Sequence, residues 1–328
     1  MSRWRAAGFV FVQLPIALLA ASFLLIGSPA FAKTESFIVI DAENGKALAE
    51  HNADAQNHPA SLTKMMTLYL LFEAIEQGKV KLDQQFTASR WASVQAPSKL
   101  GLVDGQTIAV RDLILGIVTK SANDAAVTVA ENMAGSEAAF AERMTQTARA
   151  LGMTQTVYRN ASGLPNPGQL TTARDLARLA LALYRDFPKE YAYFATEEFT
   201  YNGATYSNHN HLMRAFEGMD GIKTGYIRAS GFNLAASAVR DNHRLIGIVM
   251  GGLTAHARDM EMAQLLNTAF AGRTAASTVQ TADSDEDADQ NTLTHGAART
   301  LAQLSPVGRA EAATPQHPRH TGDSAEHW

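Results

Sequence analysis

Three short segments carry residue types whose spacing can do chemistry: Ser61-Leu62-Thr63-Lys64, Ser121-Ala122-Asn123 and Lys223-Thr224-Gly225. A serine three residues before a lysine on a helix places a hydroxyl and an amine on one face. If that amine is neutral it can take the hydroxyl proton, which turns serine into a nucleophile for acyl transfer. Neutrality requires a depressed pKa, which burial and a second nearby ammonium produce, and Lys223 is the candidate for that second charge. A lone S-x-x-K match arises by chance roughly once in a few hundred positions. Taken singly, Ser61 reads as a helix N-cap, Lys64 as a solvated helix face, and Ser121 to Asn123 as a turn capping the next helix. All three segments in one order are much harder to obtain by accident.

The surrounding chain must position these groups. Pro59-Ala60 is expected to be extended, leaving Ser61 at a helix N-terminus where its N–H can donate to a developing oxyanion. Ser121 is expected at a helix–helix corner, bridging the two lysines and passing the proton to the leaving amine, with Asn123 fixing the substrate amide. Lys223 to Gly225 reads as the end of an edge strand, Gly225 leaving the backbone accessible and the Tyr226 N–H offering a second oxyanion donor.

Residue patterns supply those elements. A hairpin is predicted from 37–40 and 47–50 around Glu43-Asn44-Gly45-Lys46. A helix over 61–77 carries Leu62, Met65, Met66, Tyr69, Leu70 and Ile75 largely on one side, with Gly78 as its stop. Helices follow over 111–118, 124–133, from Ser136 to near Gly152, and from a Thr172 capping box to about Arg185. The last third turns to strands: a hairpin around Asn202-Gly203-Ala204, a short strand over 220–224, and a hairpin 234–239/245–250 around Asp241-Asn242. A closing helix over 257–270 repeats Met260, Ala263, Leu266 and Phe270. The order makes an α+β domain, an antiparallel sheet packed with helices, and not a βαβ winding.

The two ends differ from this body. Residues 1–32 have a basic start, an apolar run and Ala30-Phe31-Ala32, the pattern of a secretory signal peptide; left uncleaved, it would tether the chain to a membrane. Residues 273–328, with an acidic knot over 283–287, are expected to be disordered, which leaves 33–272 as one catalytic domain. The net charge of −4 gives no electrostatic case for nucleic acid. The absence of cysteine excludes disulfides, thiolate nucleophiles and Cys-based zinc sites. His209-Asn210-His211 suggests no third metal ligand and reads as a loop, as does the N-x-S match at Asn160-Ala161-Ser162.

Several stretches together resemble the low-molecular-mass D-alanyl-D-alanine carboxypeptidases, serine peptidases within the penicillin-binding proteins and serine β-lactamases. They are Pro59 to Met66, Asp112-Leu113 running into Ser121 to Ala125, and Gly221 to Tyr226, continuing through Gly251-Gly252, Arg258, Leu265-Leu266 and Phe270. The resemblance implies a β-lactamase/transpeptidase-like fold with a mainly helical subdomain. It also implies removal of the terminal D-Ala from peptidoglycan stem pentapeptides through an acyl-enzyme on Ser61, in peptidoglycan remodelling and cell-shape control. It places Arg258 with Thr224 on the substrate's terminal carboxylate. β-Lactams would acylate Ser61, no metal or organic cofactor is needed, and the site of action would be periplasmic or facing the cell wall. A D,D-endopeptidase would use the same residues. A β-lactamase is disfavoured because no Asp or Glu occurs from Arg143 to Arg174, and an intact Ser61, Lys64 and Lys223 argue against a non-catalytic wall-binding protein. The centre of the second segment is Ala122 where relatives often carry Gly or Asp, and the C-terminal tail offers no amphipathic anchor.

Overall fold

The computed structural model describes Met1 and residues 35–272, so the leader and tail expectations lie outside the described residues. Contacts divide the chain into one unit, Met1–Leu266, and another, Asn267–Trp328, of which only the helical residues to 272 are described. The first unit is built on a five-stranded antiparallel sheet. Its strands are β1 (Ser36–Asp41), β2 (Ala47–His51), β7 (Met219–Ile227), β8 (Gly231–Arg240) and β9 (His243–Gly252), in the spatial order β2-β1-β9-β8-β7. Two small hairpins, β3 (Gln85–Thr87) with β4 (Thr107–Ala109) and β5 (Glu198–Tyr201) with β6 (Ala204–Ser207), complete the strands.

The N-terminal β1 pairs with β9, Ile38 opposite Ile248 and Ile40 opposite Ile246. A strand from each part of the chain therefore meets in mid-sheet, and everything between β2 and β7 is inserted as a largely helical block. That block contains α1 (Thr63–Glu76), α2 (Arg90–Ser93), α3 (Val110–Val118), α4 (Asn123–Ala134), α5 (Glu137–Ala150), α6 (Ala173–Asp186) and α7 (Leu212–Ala215). A final helix, α8, runs over 255–272.

The period of two along β9 explains its unbroken apolar run. Ile246, Ile248 and Met250 join Ile38 and Ile40 in the main core with the helices, while Leu245 and Val249 are buried outside that cluster. Gly247 lies between them because α8 crosses there, and a Cβ would meet Met262 Sδ at 2.5 Å. Both faces of the sheet are covered, so its central strands lack the polar alternation of a half-exposed sheet. Met262, fully buried, occupies the position expected for Met260, which is exposed.

Helix α1 also departs from its expected pattern. Every residue from Thr63 to Phe72 is buried, including the faces opposite Leu68 and Phe72. It is the central helix of the block, and each fully buried Leu or Phe contributes about 1.5–3 kcal/mol of apolar transfer. Only half of the predicted Thr172 capping box forms. Thr172 Oγ1 accepts from Asp175 N–H, but the Asp175 carboxylate takes Gln155 N–H, Thr156 Oγ1–H and Arg178 instead of reaching back to Thr172. Ser136, where a helix is expected to begin, caps it by accepting from Ala139 N–H. The strand carrying Lys223 is longer than predicted, so Lys223 to Gly225 sit in mid-strand, on the sheet edge as expected.

Candidate active site

Ser61 lies in a single 3₁₀ turn, Ala60–Leu62, that feeds α1. The residues before it are not extended: Pro59 is helical (φ −67°) and Ala60 adopts a left-handed φ of 48°. Ser121, at the corner between α3 and α4, is left-handed as well, with φ 56°. Non-glycine residues in this region cost on the order of 1–3 kcal/mol and persist where packing over-determines them. Here they bend the chain so that both serines face one cavity of about 370 Å³, lined also by Asn123, Gly163, Thr224, Gly225, Tyr226 and Arg258.

Lys64, one turn along from Ser61, has no exposed surface. Its Nζ donates to Asn123 Oδ1 at 2.7 Å and to the Ser162 carbonyl, and lies within hydrogen-bond distance of Ser61 Oγ, at 3.1 Å. Burial, followed by the charge of Lys223, holds Lys64 well below the ordinary lysine value, while Asp124 and Glu137 oppose the shift. A neutral amine keeps two N–H donors and one lone pair. Asn123 Oδ1 and the Ser162 carbonyl can only accept, so they take the two N–H groups. The lone pair is left for Ser61, the one partner of the three with a proton to give. The amide of Asn123 is fixed in turn, since Nδ2 donates to the Ala96 carbonyl at 2.8 Å. Holding Lys64 is therefore the task the structure gives Asn123, beyond the substrate contact expected from sequence.

Lys223 reaches the site from β7, almost fully buried, with Nζ donating to the Thr224 carbonyl at 3.0 Å. Burial and Arg258 push it down to about 7. Ser121 Oγ is buried and makes no hydrogen bond with the protein, so the expected bridge between the lysines is not made. A buried hydroxyl without a partner inside a cavity is free to bond an incoming group.

Gly163 and Gly225 shape the space around the Ser61 amide. A Cβ on either would lie 3.0 Å from Ser61 N, and on Gly163 (φ 84°) also 1.9 Å from the Ala60 carbonyl oxygen. At Gly163 only bare backbone fits, whereas at Gly225 a methyl would be tight against the Ser61 amide.

Arg258, on the first turn of α8, lines the cavity with Thr224. It is not an unengaged guanidinium: Nε and Nη2 donate to Asp259 Oδ1, each at 2.8 Å, and Nη1 to the Asn233 carbonyl at 2.9 Å. Tyr226 is more than half exposed, its ring 4.3 Å from that of Phe232.

Residues 160–162, which the sequence marks only as a loop with an N-x-S match, belong to the site, because the Ser162 carbonyl is a partner of Lys64. Its Asn160 is not an open acceptor site for a glycan, because Oδ1 accepts from Gly163 N–H and Nδ2 donates to the Leu164 carbonyl. His209 and His211 also line the cavity. Much of the His209 surface is open, yet desolvation on the cavity wall and the charges of Lys223 and Lys120 lower its pKa.

Residues 26–254 match the sequence profile of peptidase family S11, D-alanyl-D-alanine carboxypeptidase. The chain belongs to this family. It is 42% identical over 243 residues to the D-alanyl-D-alanine carboxypeptidase DacA of Escherichia coli K12, covering 72% of this chain and 60% of DacA. The chain thus spans about three fifths of that relative's length. Penicillin-binding protein 5 from Haemophilus influenzae shares its fold with a TM-score of 0.70 at 35% identity, covering 73% of this chain and 71% of the other. Ampicillin-bound penicillin-binding protein D2 from Listeria monocytogenes gives 0.66 at 32% identity, covering 73% and 98%. The fold expected from the resemblance, helices packed on an antiparallel sheet, is the one these family members share.

Proposed function

We propose that the chain is an exported serine-type D-Ala-D-Ala carboxypeptidase that trims peptidoglycan stem pentapeptides, with β-lactams as covalent inhibitors. The observation that carries this reading is the buried Lys64, faced by two pure acceptors and by the Ser61 hydroxyl. In the proposed reaction Ser61 Oγ attacks the carbonyl of the penultimate D-Ala while its proton passes to Lys64 Nζ. The N–H groups of Ser61 and Tyr226 receive the oxyanion. The C–N bond then breaks, the proton reaches the departing D-Ala amine through Ser121, and water hydrolyses the ester on Ser61.

The cavity chemistry suits a ligand with a terminal carboxylate. Arg258 and Thr224 line it, and Ala255 brings the N-terminal end of α8 to the same wall, where helix amides favour anions. Asp259 neutralises part of the Arg258 charge and leaves the outer guanidinium N–H groups for the substrate. None of the described residues lining the cavity is a carboxylate, which supports acyl transfer by lysine over a β-lactamase that uses glutamate to drive deacylation. The basic and apolar pattern of residues 1–32 supports export.

Labelled penicillin is expected to mark the wild type and leave Ser61→Ala unmarked, and equal labelling of both removes Ser61 from the role. Digestion of purified sacculi is expected to release free D-Ala. Cleaved cross-linked dimers in its place would make the enzyme an endopeptidase.

A further inference from the structure

Glu137, the first residue of α5, lies outside the cavity lining, yet its carboxylate joins the two sides of the site. One oxygen, Oε1, accepts the Ala161 N–H at 3.0 Å, and the other, Oε2, accepts the Trp91 indole N–H at 2.9 Å. From Ala161 the chain leads directly to Ser162, whose carbonyl takes an N–H of Lys64, while the Ala161 carbonyl accepts from Thr67 Oγ1 on α1 at 2.7 Å. From Trp91, α2 leads into 94–98, where the Ala96 carbonyl receives Asn123 Nδ2 and the Ser98 carbonyl receives Asn123 N–H at 2.7 Å. Asn123 Oδ1 closes the circuit on Lys64.

We propose that Glu137 is a positioning residue. It closes a ring of contacts running Lys64, Ser162, Ala161, Glu137, Trp91, Ala96 and Asn123 back to Lys64, and so fixes both acceptors that aim the Lys64 lone pair at Ser61. The chemistry demands a carboxylate, because the two contacts on Glu137 are both donors and must be met by two acceptors. A glutamine of the same shape offers one acceptor and one amide NH₂, so one of the two contacts must break. An aspartate is shorter by one methylene and cannot span both.

Charge gives a second handle on the same residue. The groups facing Lys64 are Lys223 on β7, Asp124 on α4, Glu137 on α5 and His209 on the segment after β6. Asp124 and Glu137 favour the protonated amine, against burial and Lys223. Removing the Glu137 charge lets Lys64 lose its proton at lower pH. A residue that merely stabilised the fold would leave that pH dependence in place.

The inference rests on Ser61 acylation as proposed above, and the test separates the two. The second-order rate of labelling by fluorescent penicillin is measured across pH for wild type, Glu137→Gln, Trp91→Phe and the double variant. Glu137→Gln is expected to label about tenfold more slowly near neutral pH, with its acid limb moved to lower pH. Trp91→Phe removes the donor from the other side at a half-exposed ring that the fold can spare, and is expected to slow labelling without moving the limb. The double variant should be no slower than Glu137→Gln, because both break one link of one ring. A wild-type rate and pH profile in folded Glu137→Gln overturns the inference, as do additive effects of the two substitutions. If Glu137→Gln does not fold, a wild-type labelling rate in Trp91→Phe overturns it alone. A wild type that takes no label defeats the acyl-transfer reading and the inference with it.

Discussion

At the scale of single residues, the behaviour of the site follows from two buried amines, Lys64 and Lys223. Lys64 is depressed by burial and by the charge of Lys223, and Lys223 by burial and Arg258. Removing the Lys223 charge deletes one of the causes holding Lys64 down, so the Lys64 proton is bound more tightly and is lost at higher pH. Ser61 acylation needs the neutral amine. Lys223→Met is therefore expected to move the acid limb of penicillin labelling to higher pH, whereas Lys223→Arg, which keeps the charge, leaves it near its wild-type position. Labelling rates measured from pH 4 to pH 9 at about half-unit steps check this. An unmoved limb in Lys223→Met would mean that the Lys223 charge does not help to set the Lys64 proton affinity.

At the scale of elements, the site is a meeting of three backbones: the 3₁₀ turn holding Ser61, the loop holding Gly163, and mid-strand β7 at Gly225. The loop 97–102 forms a further wall. The buried Asp124 carboxylate anchors it by accepting from the N–H groups of Leu100, Gly101 and Leu102. The two glycines against Ser61 differ in a way that can be measured. Gly163→Ala drives a methyl into the Ala60 carbonyl at a left-handed φ, and is expected to lower stability by about 2–4 kcal/mol. Gly225→Ala meets Ser61 N at 3.0 Å and the Pro59 carbonyl oxygen at 3.2 Å, tight but without a left-handed backbone. It is expected to lower stability by about 1 kcal/mol or less while slowing Ser61 labelling about tenfold or more. Urea unfolding set beside labelling rates separates the two outcomes. Equal loss of stability in both variants would contradict the geometry.

At the scale of the whole molecule, placing two lysines in the interior opposes folding. For Lys223 the folded value is about 7 against an ordinary 10.5, so between these pH values the unfolded chain holds a proton that the folded chain does not. Stability therefore rises with pH across that window, by about 1.4 kcal/mol per unit at most, and the full penalty applies below it. Lys64 adds a penalty of the same sign. Lys223→Met, close in volume and uncharged, is expected to melt several degrees above wild type at pH 7, with the gain shrinking as pH approaches 10. Thermal unfolding at both pH values tests it. A variant less stable than wild type at pH 7 would mean that the bond from Lys223 Nζ to the Thr224 carbonyl outweighs desolvation.

The residues that declare themselves in the sequence do so through side-chain type and local spacing. Ser61 with Lys64, the caps at Ser136 and Thr172, and the turns at Asn202-Gly203 and Asp241-Asn242 depend on neighbours a few positions away, and the folded chain keeps them. The family resemblance implies one site for the three segments, and the fold brings Ser61, Ser121, Asn123, Thr224 and Gly225 to one cavity. Other features had no local signal. The Ser162 carbonyl is a backbone group identical in every residue, so its role at Lys64 is set by where a loop is packed. The all-round burial of α1, the left-handed Ala60, the exchange of Met260 for Met262 and the grip of Asp259 on Arg258 are likewise products of packing. Local sequence fixes which groups are present and how near neighbours bend. The proton affinity of Lys64 and the direction of its lone pair come from desolvation and from partners on distant segments, which only the closed tertiary structure brings within a few ångströms.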